Sequence, residues 1–265
     1  MTSADHGGAI ALEQVTQRFA LPREHREFTA VQDVTFDVGA GEFISVVGPS
    51  GCGKSTLLSL IAGLAPLSGG RITIDGTPVS GVNPRLGFVF QRDALFPWKT
   101  VADNVGLPLL FRGVDPATAR PRVAEWIARI GLTGFERYHP HQLSGGMRKR
   151  VALAMTMVYE PEIVLMDEPF GALDVQTRNL MENDLLEIWA QRRRTVMFVT
   201  HDLEEAIALS DRIVVMTARP GRVKDVIDVA LPYPRDLNGP EVTDLRAKLW
   251  EQVREESLKA MAGNA

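Results

Sequence analysis

The run Phe43–Val47, apolar except for Ser45, leads straight into Gly48-Pro49-Ser50-Gly51-Cys52-Gly53-Lys54-Ser55-Thr56 and then into an apolar helical pattern ending near Gly63. Strand, glycine-rich loop and helix in that order open an α/β unit. The loop fits the pattern G-x-x-x-x-G-K-[ST]. Its glycines allow backbone N–H groups to point inward at phosphate oxygens, and the helix that starts there adds the positive end of its dipole. Lys54 is expected to reach the β- and γ-phosphates of a nucleotide, and the Ser55 hydroxyl to ligate Mg²⁺. Residue frequencies put a chance match in a chain this long at roughly one in a hundred, and the strand and helix on either side lower that. Cys52 reads as a small filler of the loop.

The rest of the chain repeats the theme. Buried strands are expected at Ile163–Met166, Val196–Val199 and Ile213–Met216, and shorter β-type runs at Val31–Val38 and Arg71–Asp75. Between the first two buried strands, Met181, Leu185, Ile188 and Trp189 line one face of a helix. Such alternation predicts a mainly parallel sheet covered on both faces. The stretch of about 92–160 reads as mostly helical. Asp115-Pro116 starts one helix and Gly131 stops it, with Pro121 as an awkward interruption. From Val151, the positions Val151, Ala154, Met155 and Val158 keep one helical face apolar. Past Pro232 the chain is broken by Pro and Gly. It then forms an amphipathic helix with Val242, Leu245 and Leu249 inward. The expected organisation is a loose tail at 1–9, one domain over 10–232 and a helical extension over 233–265.

Bulk properties exclude several classes. A net charge of -4 argues against a general nucleic-acid binder. No apolar run approaches the roughly 18–20 residues of a membrane-spanning helix, and the first residues do not read as a secretory signal. One cysteine, Cys52, forms no internal disulfide and fits a reducing compartment. Action at a membrane would therefore go through a partner.

Two further motifs carry chemistry. In Ile163-Val-Leu-Met-Asp167-Glu168-Pro169, two carboxylates emerge at the end of a buried strand, the edge of a parallel sheet where ligands sit. Asp167 is placed to hold Mg²⁺ through water and Glu168 to polarise an attacking water; alone, such a pair could merely cap the next helix. Leu143-Ser144-Gly145-Gly146-Met147 opens a helix and offers a second anion site. A plain helix N-cap is its simplest reading. A subunit whose own phosphate loop already cradles a nucleotide has no use for a second such site, so the natural occupant is the γ-phosphate of a partner's ATP.

With these three motifs in order, the chain resembles the ATP-binding subunits of ABC transporters over about residues 10–230. The resemblance implies an α/β P-loop NTPase (RecA-like) core with an antiparallel β layer and an inserted helical subdomain at about 92–160. It also assigns residues. Leu143–Met147 looks like the family signature. Gln91, in Val-Phe-Gln91-Arg-Asp, resembles the glutamine that senses Mg²⁺ and the membrane partner. Asp174, in Gly171-Ala-Leu-Asp174, resembles the acidic residue at the dimer interface. His201, in Val-Thr-His201-Asp, resembles the switch histidine at the γ-phosphate. Phe19, with Phe28 as second candidate, matches the aromatic that stacks on adenine; an aromatic there is otherwise simply core.

The runs FQRDALFPWKTVADNV, MDEPFGALDVQTR and THDLEEAIALSDRIVVMTARPGRV are similar to importers of nitrate, aliphatic sulfonates and taurine. The chain departs from the commonest pattern at Lys149, where Gln is usual, and at Met155-Thr156, where Arg-Ala is usual. The resemblance implies two copies sandwiching two Mg·ATP head to tail at the cytoplasmic face of the inner membrane. They would dock on two transmembrane permease subunits and serve a solute-binding protein indirectly. The rivals are a soluble ABC ATPase of DNA repair or translation, an exporter cassette, and a phosphotransferase outside the family. Repair and translation members usually carry two cassettes or a long coiled coil, and exporter cassettes are commonly fused to a membrane domain; this chain shows neither. After Gln91, the cluster Leu95-Phe96-Pro97-Trp98 reads either as a docking surface for the permease or as a plug of the helical core.

Overall fold

The computed structural model describes residues 8–21, 26–171 and 173–263. In chain order the elements are β1 (Ile10–Leu21), β2 (Arg26–Val38), β3 (Phe43–Val47), α1 (Lys54–Ile61), β4 (Gly69–Ile74), β5 (Thr77–Pro78), β6 (Leu86–Val89), α2 (Val101–Phe111) and α3 (Pro116–Arg129). There follow α4 (Gly145–Met157), β7 (Ile163–Asp167), α5 (Val175–Gln191), β8 (Thr195–Val199), α6 (Leu203–Leu209), β9 (Arg212–Met216), β10 (Val223–Asp228) and α7 (Pro240–Gly263). The six-stranded sheet has the order β10-β9-β3-β8-β7-β6. Its strands β9, β3, β8, β7 and β6 are parallel, and β10 joins the β9 edge antiparallel. A second, antiparallel sheet has the order β2-β1-β4-β5.

Side-chain alternation along each central strand divides the core. Phe43, Val164, Met166, Val196 and Phe198 point to the side of α4 and α5. Ile44, Val46, Leu165, Met197 and Val199 point to the side of α1 and the antiparallel sheet. Full burial of such side chains contributes roughly 1.5–3 kcal/mol each, so a sheet buried on both faces reads as near-continuous apolar runs. A third cluster packs α6 and α7 on β9 and β10 through Ile207, Ile213, Val215, Val242 and Leu249. The inward face expected of α7 is present, with Leu245 half-buried beside that cluster.

Several expectations need adjustment. Residues 1–7 of the expected tail lie outside the described residues, but Gly8 and Ala9 are tied down: Gly8 O accepts from Thr195 Oγ1 at 2.8 Å, and Ala9 N–H donates to Asp75 Oδ1 at 2.8 Å. The same Asp75 ends β4 one residue earlier than expected, at Ile74, with a left-handed φ of 49°. Pro121 does not interrupt α3; the helix runs through it with Trp126 and Ile127 buried, and Pro121 itself is exposed. On α4, Met155 is only half-buried, whereas Leu153 and Met157 join Val151 and Ala154 in the core. Strands β1, β5, β6 and β10 are not among the runs expected from the sequence.

Candidate functional site

The central strands determine where the chemistry-bearing residues meet. β3, β8, β7 and β6 are consecutive parallel neighbours, and their carboxyl ends release, respectively, the loop Gly48–Gly53, His201, Asp167-Glu168 and Gln91. One cleft of 540 Å³ is lined among others by Ser50, Lys54, Ser55, Gln91, Glu168 and His201, and Asp167 meets its wall through a hydrogen bond from Ser55. Gly51, Gly53 and Thr56 complete the loop side of the cleft. Cys52, the expected filler, is buried at 1% exposure. Gly53 adopts a left-handed φ of 101°, and a Cβ there would lie 2.4 Å from Val31 Cγ1. Only glycine lets the loop turn that close to β2 and enter α1.

The Lys54 ammonium is held at 6% exposure by the loop itself, donating to Gly48 O at 2.8 Å and Pro49 O at 3.1 Å. Ser55 Oγ donates to Asp167 Oδ1 at 2.9 Å. Burial raises the Asp167 carboxyl above its ordinary range; the Ser55 hydrogen bond and the Lys54 charge pull it back, while the Glu168 charge adds to the rise. A carboxylate desolvated in this way gains by facing a cation. Glu168 has a left-handed φ of 43°, a strained conformation for a side-chain-bearing residue. The bonds Glu168 N–H to Val199 O at 2.9 Å and Gly171 N–H to Glu168 O at 3.3 Å hold it there. Its Oε2 accepts from Gln91 Nε2 at 3.0 Å and faces His201 Nδ1 at 3.3 Å.

Phe19 and Phe28 both line the cleft. They are opposite each other in the β1–β2 ladder, and their rings stack at 5.3 Å. The two aromatic candidates are therefore one paired surface. Residues 22–25 between them lie outside the described residues.

Ser144, Gly145, Gly146 and Asp174 do not line this cleft. Ser144 caps α4, its Oγ accepting from Met147 N–H at 3.2 Å, and Asp174 caps α5, accepting from Thr177 N–H at 3.0 Å. Ser144 and Gly145 are exposed, and Gly146 sits so near the first turn of α5 that a Cβ would approach Thr177 Cγ2 to 2.8 Å. Ala172, in the run Gly171–Asp174, lies outside the described residues.

Sequence reasoning missed Arg219. Its guanidinium lies 5.1 Å over the Phe28 ring, and its Nε donates to Gly51 O at 3.2 Å, so it joins the aromatic pair to the phosphate loop and lines the same cleft. The available signal was the Pro220-Gly221 turn. Gly221 comes so near the loop that a Cβ would lie 1.9 Å from Cys52 O.

Comparison with known proteins accounts for this arrangement. The family model described as "ABC transporter" matches residues 31–171. An uncharacterized ABC transporter ATP-binding protein of Methanocaldococcus jannaschii is 48% identical over 88% of this chain and 87% of that protein. An aliphatic sulfonates import ATP-binding protein of Bacillus cereus is 41% identical over 92% of this chain and 95% of that protein. Among solved structures, a dimeric bacterial ABC transporter cassette superposes with a TM-score of 0.76 at 32% identity, covering 84% of this chain and all of that one. A post-hydrolysis state of that cassette, bound to ADP and Pi, gives the same TM-score at 31% identity. The chain belongs to the ABC transporter family. Within it, the chain is an ATP-binding cassette and an ATPase, built on a P-loop NTPase fold.

Proposed function

We propose that this cassette is the motor subunit of an ABC importer for a small anionic or zwitterionic solute of the nitrate, sulfonate or taurine kind. Two copies would act at the cytoplasmic face of the membrane on two permease subunits, with a solute-binding protein upstream. The observation that carries the shared-site reading is the separation just described. The phosphate loop, Glu168, Gln91 and His201 converge on one cleft, with Asp167 hydrogen-bonded to Ser55 of its wall, while Ser144, Gly145, Gly146 and Asp174 do not line it. Exposed donors at the start of α4 are then free for a second copy's nucleotide. The relative named for aliphatic sulfonates import and the dimeric cassette support the same reading. Among the described residues no helix is long and apolar enough to cross a membrane.

Each residue then has a role. Lys54 and the loop N–H groups hold the β- and γ-phosphates, and Phe19, Phe28 and Arg219 wall the base. Glu168 orients a water and takes its proton. The water oxygen bonds to the γ-phosphorus, the bond to the β-phosphate oxygen breaks with its electron pair leaving on ADP, and phosphate departs. His201 and Gln91 fix the Glu168 carboxylate. Mg²⁺ fits the donor set: Ser55 Oγ and Asp167 Oδ1 are hard oxygens 2.9 Å apart, and Gln91 lines the same cleft as Ser55. Among the described residues no group of three His, Cys, Asp or Glu is placed to hold a metal, as suits an ion bound by one carboxylate, a hydroxyl and substrate phosphates. When bound it would neutralise charge on the β- and γ-oxygens.

The permease is assigned to a groove of 450 Å³ beside the Gln91 segment, lined by Phe88, Phe96, Leu107, Pro108, Phe111 and Met155. Phe96 is half-buried on its rim and stands apart from the core clusters; Trp98 is 71% exposed and meets Phe96 edge-on at 5.6 Å. Buried Asn104 pins this loop, accepting from Phe96 N–H at 2.8 Å and donating to the carbonyls of Lys99 and Thr100 at 3.1 and 2.9 Å. Rigid aromatic groups on an exposed loop are typical interface anchors. Phe96→Asp is expected to keep the thermal melt and its shift with Mg·ATP, and to abolish co-purification with the permease from detergent-solubilised membranes. Recovery of the full complex would remove Phe96 as an anchor, and a collapsed melt would return it to the core.

A further inference from the structure

Lys149 is a buried ammonium, 7% exposed, whose polar partners among the described residues lie on the Gln91 segment. Its Nζ donates to the Gln91 carbonyl and stands 3.3 Å from Asp93 Oδ1. That oxygen is buried and, among the described residues, makes no hydrogen bond, so the Lys149 charge is its counterpart. One residue earlier on α4, Arg148 Nε binds the other Asp93 oxygen at 3.0 Å. Arg148 Nη1 also donates to Leu143 O at 2.9 Å, and its backbone N–H to Ser144 O at 3.0 Å. An uninterrupted run of polar contacts thus joins Gln91 to the Leu143–Ser144 turn.

The two ends of this run face different nucleotides. Gln91 reaches Glu168 in the chain's own cleft. The turn at Ser144 is exposed and does not line that cleft and, on the reading of a shared site given above, grips the partner's ATP. Holding a charged side chain out of water is costly unless it is paired, so the clasp has reason to stay closed through the motion of either end. We infer that Lys149 and Asp93 form a clasp that moves Gln91 and the Leu143–Gly146 turn as one body, so that nucleotide in one cleft conditions the grip on nucleotide in the other. Lys149 is a positioning residue here: it acts on Glu168 through the placement of Gln91.

The test uses the full-length chain with Lys149→Met, Asp93→Asn and the double variant. Phosphate release is followed against ATP concentration, and nucleotide affinity is measured with a fluorescent ATP analogue. Each single variant is expected to lose roughly tenfold or more in kcat, as misplaced catalytic groups do. The affinity for the analogue should stay within about twofold, since ground-state binding is not the quantity removed. The double variant should be no worse than the poorer single one, because either substitution alone already breaks the same run of contacts between Gln91 and α4. The Hill coefficient for ATP should fall toward one in all three, a change that a merely structural ion pair would not produce. Asp93→Asn keeps the shape of a partly exposed side chain, so the outcome does not hang on the folding of Lys149→Met. Wild-type turnover and cooperativity in Asp93→Asn, additive losses in the double variant, or affinity falling in step with kcat would each overturn the clasp. Glu168→Gln in the same assay separates the two levels: its full activity would contradict the site itself, whereas its inactivity beside normal clasp variants would contradict the clasp alone.

Discussion

Lys54→Ala is expected to remove ATP hydrolysis, with kcat/KM falling on the order of 10²–10³ or more, as when a donor aimed at developing charge is deleted from an enclosed site. The lysine is 6% exposed and its Nζ is anchored by the carbonyls of Gly48 and Pro49 at 2.8 and 3.1 Å. The ammonium is thus held at the floor of the loop, where phosphate oxygens would replace those carbonyls as its partners. Alanine removes both the charge and the anchoring of the loop, so nucleotide affinity should fall together with turnover. Titration of a fluorescent ATP analogue beside a phosphate-release assay reads both. A variant that binds and hydrolyses ATP as the native chain does would remove Lys54 from the site.

Glu168→Gln is expected to separate binding from chemistry. The Gln91 amide donates to Glu168 Oε2 at 3.0 Å, and a glutamine at 168 can present its carbonyl oxygen to the same donor. The strained backbone at φ 43° is fixed by main-chain bonds that the substitution leaves alone. Shape and loop position are kept, and what is lost is a carboxylate able to take a proton from water. Turnover should drop by at least about a hundredfold, the scale of general-base catalysis, while ATP binding persists. Unable to release phosphate, the protein should accumulate in its nucleotide-bound form. Normal turnover in this variant would mean that another group accepts the proton.

The parts of the site that were legible in the sequence are those whose geometry is local. The loop Gly48–Thr56 and the pair Asp167-Glu168 each lie within one strand-to-loop junction, so residue type and spacing alone place them. Gln91 and His201 carry no such local pattern; each sits in a short polar stretch after an apolar run. Only family resemblance singled them out, and their approach to Glu168 depends on β6 and β8 flanking β7, a matter of sheet order. Strand β6 was missed because Leu86–Val89 is four residues long and contains a glycine. Its pairing with β7 makes it a strand, as tertiary context commonly does for weak β-formers. The edge strand β10, with three charged residues in Val223–Asp228, was hidden for the same reason. Arg219 and Lys149 were legible as charges and not as partners, since their contacts with Gly51 and with Gln91 and Asp93 span many residues of chain. The choice between Phe19 and Phe28 could not be made from the sequence, and the cross-strand stack makes it unnecessary.

In the proposed dimer the cleft of one copy is completed by the Ser144 turn of another. That arrangement is tested by size-exclusion chromatography of Glu168→Gln with Mg·ATP, alone and combined with Ser144→Arg, beside binding of a fluorescent ATP analogue. Ser144 is exposed and its Oγ caps α4 at 3.2 Å, a bond whose loss costs about 1 kcal/mol and leaves the fold standing. Glu168→Gln alone should elute as a dimer when Mg·ATP is present. The double variant should bind the analogue in its own phosphate loop and yet stay monomeric, because the bulky cation replaces the turn that meets the partner's γ-phosphate. A double variant that dimerises as fully as Glu168→Gln, or a Glu168→Gln protein that binds ATP and remains a monomer, would contradict the shared site.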